Sequence, residues 1–121
     1  MTAAQMLGAR AEQIAADYLQ GRGLTILERN FRRRLGEIDL VAREGAVLVI
    51  AEVRTRSSDA FGGAAASVGA RKQRRLIRAA AQLLQQHREY AALPVRFDVL
   101  IVVGPTSDAP QVNWLRHAFE A

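Results

Sequence analysis

The chain has no cysteine, a single lysine and two histidines among its 121 residues. The lack of cysteine excludes disulfide bonds and thiolate metal sites, and two histidines are too few for a typical zinc site unless carboxylates complete it. The N-terminal segment has no apolar signal core, and no hydrophobic run approaches membrane-spanning length. We therefore expect a soluble, cytoplasmic protein. With 50% hydrophobic residues, a chain of this length suits one domain over residues 1–121.

Positive charge comes almost entirely from arginine. The formal net charge is +5, the sequence pI is about 10.9, and Lys72 is the single lysine. The planar guanidinium group suits bidentate contact with phosphate, so the composition favours a nucleic-acid partner. The alternative is a basic protein whose charge serves no specific partner.

Hydrophobic periodicity predicts the order α-β-β-β-α-β-β. Helices are expected over residues 3–20 and 67–87, the first ended by Gly21 and Gly23 and the second capped by Ser67. Strands are expected at residues 24–32, 36–42, 46–54, 95–103 and 111–115, followed by a C-terminal turn. The stretch 57–67, rich in small residues, is expected to be a mobile loop. This order predicts an α/β fold with a mixed sheet flanked by helices.

The second and third strands form a predicted hairpin that carries acidic groups in an apolar sheet. With Glu44–Gly45 as a two-residue turn, Asp39 would lie opposite Ile50 and share a face with Glu52. A four-residue loop preserves this arrangement and a three-residue loop does not. Carboxylates inside a sheet are costly unless something binds them, and oxygen ligands, including the backbone carbonyl of Val53, suit Mg²⁺ or Mn²⁺. The alternative is an exposed edge hairpin with alternating charges.

Four other charged residues are candidates for this site or its support. Glu12 lies at the rim of the apolar stripe of the first helix, where it faces either a cleft or solvent. Arg54 shares the face of Glu52, and it either acts on a phosphate or water or simply pairs with Glu52. Lys72 falls within the inward arc of the second helix, so it either meets an anion or extends past the helix end. Asp98 lies in an apolar strand, and we interpret it as a structural hydrogen-bonding group.

Taken together, these residues resemble a family pattern. The matching blocks follow one another along nearly the whole chain, at residues 8–19 (GARAEQIAADYL), 26–32 (ILERNFR), 36–41 (GEIDLV), 52–56 (EVRTR), 72–76 (KQRRL) and 96–99 (RFDV). They resemble the YraN-like family of uncharacterised bacterial proteins. That family is in turn similar to the PD-(D/E)xK nucleases, which have a restriction-endonuclease-like fold, and especially to archaeal Holliday-junction resolvases.

The resemblance implies a metal-dependent DNA endonuclease that acts on branched or structured DNA. It implies that Asp39, Glu52 and the helix residue Glu12 bind Mg²⁺ or Mn²⁺, and that Arg54 stands where the nuclease motif has lysine. Arginine stays protonated and cannot serve as a base, so Lys72 is an alternative source of the catalytic charge. The resolvase analogy also implies a homodimer. Two other readings stay open, namely a nucleic-acid-binding module that does not cleave and a protein-interaction scaffold that uses the 57–67 loop.

Overall fold

The computed structural model describes residues 1–57 and 68–121. It contains helices α1 (Ala3–Gly21) and α2 (Ala70–Gln86) and strands β1 (Thr25–Arg33), β2 (Gly36–Glu44), β3 (Val47–Arg56), β4 (Val95–Val103) and β5 (Gln111–Phe119), with a short 3₁₀ helix at Arg88–Tyr90. The strands form one sheet in the order β1-β2-β3-β4-β5. β3 and β4 are parallel, and the other neighbouring pairs are antiparallel. The predicted mixed α/β sheet is thus confirmed.

The two helices pack on opposite faces of the sheet because the central strands alternate apolar side chains between two cores. Leu40, Val49 and Ala51 contact the small residues of α1. Val41 and Ile50 contact α2 through Leu76, Ala79 and Leu83. Successive residues of a strand point to opposite faces, so strands that are apolar at every position require a helix on each side.

Two predicted boundaries are wrong, the start of the second helix and the end of the last strand. α2 begins at Ala70 with Gly69 as its N-cap, so Ser67 does not cap the helix. Ser67 itself lies outside the described residues, as does the predicted loop except for Ser57. The chain also has a long last strand in place of a C-terminal turn, because β5 continues to Phe119.

The hairpin register also differs from the prediction. Glu44 pairs with Val47 and Val41 pairs with Ile50, so the two-residue turn is Gly45–Ala46. Gly45 has a φ of +58°, a backbone conformation that glycine adopts without a steric cost. The shift is an even number of residues and moves Asp39 from a position opposite Ile50 to one opposite Glu52.

Gly36 brings the start of β2 into direct contact with α2. A Cβ atom added to Gly36 would lie 2.3 Å from the backbone oxygen of Arg75, so no larger residue fits without a backbone shift. This close approach places the β1–β2 turn beside the N-terminal half of α2.

No helix in the described residues has the combined length and hydropathy that crossing a bilayer requires.

Candidate active site

The candidate site lies where β2 and β3 separate. Their ladder ends at the pair Leu40–Ala51, and beyond it the carboxylate of Asp39 reaches across the gap between the two strands. The backbone N–H of Val53 donates a hydrogen bond of 2.8 Å to Asp39 Oδ2. Because the N–H and C=O of one residue point to the same side of an extended strand, the carbonyl of Val53 faces this gap too.

Glu52 lies beside Asp39 and is 7% exposed. Burial, together with the interaction with Asp39 and its negative charge, raises the pKa of Glu52 from 4.5 to about 7, and Lys72 opposes this rise. Among the described residues, Glu52 Oε2 has no hydrogen-bond partner, although the Lys72 ammonium lies nearby. Two adjacent carboxylates that are not fully compensated favour the binding of a cation.

Lys72 approaches the site from the first turn of α2. Its Nζ atom lies 3.3 Å from Glu52 Oε2, and about a third of its side chain is exposed. The neighbouring residue Arg71 is exposed, since one helical step rotates it about 100° around the axis. Of the alternatives for Lys72, the structure shows the inward orientation, and the anion that it meets is Glu52.

Glu12 and Arg54 line a cleft on the other side of Asp39. The cleft has a volume of about 440 Å³, and its walls are formed by Gly8, Ala11, Glu12, Asp39, Val53, Arg54 and Thr55. Burial raises the pKa of Glu12, and the negative charge of Asp39 adds to the rise. The structure therefore brings Glu12 near Asp39 and brings Asp39 near Glu52.

The carboxylate oxygens of Asp39 and Glu52 are suitable ligands for one divalent cation. No group of three or more His, Cys, Asp or Glu side chains in residues 1–57 and 68–121 is arranged to hold a metal ion, so Glu12 does not complete a compact triad with Asp39 and Glu52. The two adjacent carboxylates and the Val53 carbonyl still supply hard oxygen ligands. Mg²⁺ typically takes one or two carboxylates and keeps several waters, so this set suits it.

Two residues near the cleft, Asn30 and Arg32, lie in the 26–32 block but were given no role in this site by the sequence patterns. The side chain of Asn30 interacts with the Glu12 carboxylate and lowers its pKa, as does the charge of Arg32. Asn30 has a φ of +53° within β1. Asparagine is depleted in strands, so an asparagine inside a predicted strand was the available signal of an irregular position.

Asp98 does not belong to this site. It is 1% exposed and accepts hydrogen bonds from the side chains of Arg96 and Trp114 and from the backbone of His117. These contacts agree with its interpretation as a structural group.

A basic surface flanks the acidic residues. It consists of seven exposed arginines, Arg32, Arg33 and Arg34 at the β1–β2 turn and Arg71, Arg74, Arg75 and Arg78 on α2. The two groups are neighbours because Gly36, which follows the β1–β2 turn, packs against the backbone of Arg75. We call these seven arginines the basic surface.

Comparison with known proteins identifies one family. The model of the uncharacterised protein family UPF0102 matches residues 11–102. A UPF0102 protein of Nitrosomonas europaea is 48% identical over 99% of this chain and 98% of its own length. UPF0102 proteins of Alkalilimnicola ehrlichii and Stutzerimonas stutzeri are 51% and 46% identical, covering 94% and 100% of this chain and 86% and 100% of their own lengths. These matches confirm the resemblance to YraN-like proteins.

Proposed function

We propose that this chain, which belongs to the uncharacterised protein family UPF0102, is a metal-dependent endonuclease that hydrolyses phosphodiester bonds in branched or structured DNA. The observation that carries the proposal is the pair of Asp39 and Glu52 at the point where β2 and β3 separate. Glu52 is buried beside a second carboxylate, which raises its pKa to about 7. A charged pair of this kind is common at functional sites and is costly without a function.

Asp39 and Glu52 would hold Mg²⁺ or Mn²⁺, with the Val53 carbonyl as a third oxygen and Glu12 at the edge of the cleft. The bound cation would supply charge neutralisation of the scissile phosphate and activation of a water molecule. The N–H of Val53 fixes one oxygen of Asp39, which orients the carboxylate before any ligand arrives.

Lys72 and Arg54 would supply positive charge on the two sides of these carboxylates. The ammonium of Lys72 lies 3.3 Å from Glu52, close enough to stabilise the charge that develops on a phosphate held there. Arg54 lines the cleft from β3. Since arginine does not lose its proton, its role would be to hold phosphate rather than to accept a proton from water.

The basic surface would bind the DNA backbone. Its exposed guanidinium groups lie on both the β1–β2 turn and α2, so a duplex that contacts both groups passes the acidic residues. Backbone contacts of this kind are independent of base sequence. A junction presents paired strands, and we propose a homodimer that offers one cleft to each.

A cleavage assay tests this proposal. Linear, flapped and four-way-junction DNA are incubated with the protein in Mg²⁺, in Mn²⁺ and in a chelator. We expect cleavage of the branched substrates with either cation and loss of cleavage in Asp39→Asn and Glu52→Gln. Asp17→Asn is the matched control, because Asp17 is an exposed carboxylate of α1 whose loss removes the same charge. A wild-type protein that cleaves none of these DNAs with either cation contradicts the proposal.

A second candidate function is nucleic-acid binding without cleavage. The observation that favours it is Arg54 at the position where the nuclease motif has lysine. This function needs the basic surface but no cation. DNA binding that falls with salt and is equal with and without Mn²⁺, combined with no cleavage, would select it.

A further inference from the structure

We propose that Asn30 is a positioning residue that holds the carboxylate of Glu12 at the edge of the cleft, toward Asp39. This inference rests on the proposed function for its consequence, metal binding, but not for its geometry. Asn30 lies on β1, the strand next to β2, within the 26–32 block, and the sequence patterns gave it no role.

The backbone at Asn30 has an unusual conformation. Its φ is +53°, one of two positive values at non-glycine positions in the described residues. Asparagine tolerates the left-handed region better than most residues, but in a strand this conformation interrupts the regular pleat. A residue in this conformation needs a compensating contact, and such positions cluster at functional sites.

The irregularity occurs beside Asp39. β1 and β2 pair at Arg29–Leu40 and at Phe31–Ile38, so Asn30 lies opposite Asp39. Leu40 faces the α1 core, whereas Ile38, two residues earlier, faces the α2 core. Residues two apart in a regular strand share a face. The strand pair therefore changes face at Asn30 and Asp39, which leaves both side chains at the opening between the cores.

The side-chain amide of Asn30 lies between the Arg32 guanidinium and the Glu12 carboxylate. Its Oδ1 atom accepts a hydrogen bond of 3.1 Å from Arg32 Nη2, so the N–H₂ group remains available as a donor to a carboxylate in the same depression. Glu12 and Asn30 line one depression together with Gly8 and Arg32. Arg32 thus orients the amide, and the amide orients the carboxylate.

This arrangement explains how Glu12 serves the site without joining a compact triad. A carboxylate on a long side chain at the rim of α1 has free rotation about several bonds. A donor fixed in the strand restricts that rotation and keeps the carboxylate near Asp39. Partners of this kind around metal ligands typically affect metal affinity by about 10- to 100-fold.

Two variants separate positioning from structure. Asn30→Gly removes the amide while keeping a residue that favours positive φ, so we expect an unchanged melting temperature and an affinity for Mn²⁺ about tenfold weaker by calorimetry. Asn113→Gly, at an exposed asparagine of β5, is the matched control and should leave Mn²⁺ affinity unchanged.

A second readout needs neither metal nor cleavage. The side-chain N–H₂ signals of Asn30 in a ¹⁵N–¹H spectrum should shift in Glu12→Ala and stay in place in Asp17→Ala. Unshifted signals in Glu12→Ala, or equal Mn²⁺ affinity in Asn30→Gly and wild type, overturn the inference. A wild-type protein that binds no Mn²⁺ contradicts the proposed function separately, and the amide signals then decide alone whether Asn30 holds Glu12.

Discussion

Glu52 and Asp98 are the buried carboxylates of the described sheet, and they have opposite surroundings. They belong to neighbouring strands, because Ala51, the residue before Glu52, pairs with Asp98. Asp98 accepts hydrogen bonds of 2.9–3.0 Å from Arg96 Nε and Nη2, Trp114 Nε1 and the backbone N–H of His117. Glu52 Oε2 has no hydrogen-bond partner in the described residues, and its surroundings are the Lys72 ammonium at 3.3 Å and the second carboxylate, Asp39.

The contrast separates a structural acid from a candidate functional one. Asp98 is compensated on both oxygens. Its hydrogen bonds with Arg96 are the largest cause of the raised pKa of Arg96. Glu52 gains less from its neighbours than it loses through burial. Burial of a carboxylate therefore does not by itself indicate function, whereas incomplete compensation does.

Removing Asp98 should have the largest effect on stability. Asp98→Ala removes the acceptor of Arg96 Nε and Nη2 and of the Trp114 indole, and only Arg96 Nη1 keeps its partner, Glu44. Breaking a buried charge pair costs about 3–5 kcal/mol. Glu52→Ala should cost much less, because it also removes the repulsion from Asp39. The free energy of unfolding in urea measures both. Equal losses in the two variants would show that the two acids are compensated alike.

Glu52 should make the largest single contribution to the pH dependence of stability, because its pKa shift is the largest among the carboxylates. Its folded pKa, about 7, lies above its ordinary value of 4.5, so the folded state binds more protons between these values. The stability that the protonated form contributes is fully present below pH 4.5 and is lost as the pH rises through 7. Relative to Glu52→Gln, the wild type should lose on the order of 3 kcal/mol over this range.

Urea unfolding at a series of pH values between 4 and 8 measures this difference. Asp98→Asn is the control, since its curve should keep the pH dependence of the wild type even though its overall stability is lower. Parallel curves for Glu52→Gln and wild type would mean that the pKa of Glu52 is not raised.

Of the two buried acids Glu52 and Asp98, only Glu52 should be needed for stabilisation of the protein by a divalent cation. At ten times its dissociation constant, Mn²⁺ should raise the free energy of unfolding by about 1.4 kcal/mol in the wild type. The increase should vanish in Glu52→Gln and persist in Asp98→Asn. Thermal unfolding with and without Mn²⁺ reads this out, and an increase that survives in Glu52→Gln would place the ion elsewhere.

The cationic partner of Glu52 should affect reaction rate. Lys72→Ala and Arg71→Ala each remove one positive charge from adjacent positions of α2, but only Lys72 lies 3.3 Å from Glu52. We expect Lys72→Ala to lower the cleavage rate at saturating DNA by about tenfold or more, with little change in Arg71→Ala. Single-turnover kinetics separates rate from affinity. Equal effects in the two variants would assign Lys72 to the basic surface.

Arg71 should affect DNA affinity only slightly. If about four phosphates are contacted, log affinity should fall against log salt concentration with a slope near −4. Arg71→Ala should reduce the magnitude of that slope by about 1, and Glu52→Gln should leave it unchanged. Fluorescence anisotropy across a salt series measures these slopes. A wild-type protein that does not bind duplex DNA at low salt would remove both nucleic-acid functions.

Patterns of short range were sufficient to predict the elements and the fold class. Apolar periodicity placed both helices and all five strands in order, because amphipathic spacing depends only on the local backbone repeat. The same spacing placed Lys72 on the inward arc of α2 and Arg71 outside it. The exposed arginines of the basic surface follow from composition in the same way, since charged side chains are rarely buried.

The tertiary structure decided where the acidic residues meet. The predicted pairing of Asp39 with Ile50 assumed a turn at Glu44–Gly45 and strict alternation of faces. The turn is Gly45–Ala46, and alternation breaks where Asn30 takes a positive φ opposite Asp39. Strand register and local twist depend on packing between distant segments, so the spacing of residues along the chain does not determine them.

Packing between distant segments also explains why the two buried acids have different surroundings. In the sequence, Glu52 and Asp98 are both single carboxylates within apolar strands, and each has an arginine two residues away on its own strand. Local spacing alone therefore does not show which acid is compensated. Asp98 is compensated by Arg96 of its own strand and by Trp114 and His117 of β5, whereas Glu52 faces Lys72 of α2 and Asp39 of β2. Sequence alone determined that these strands carry acids into an apolar core. Only the folded arrangement decided which acid is compensated, because most of the groups around each acid come from other elements of the chain.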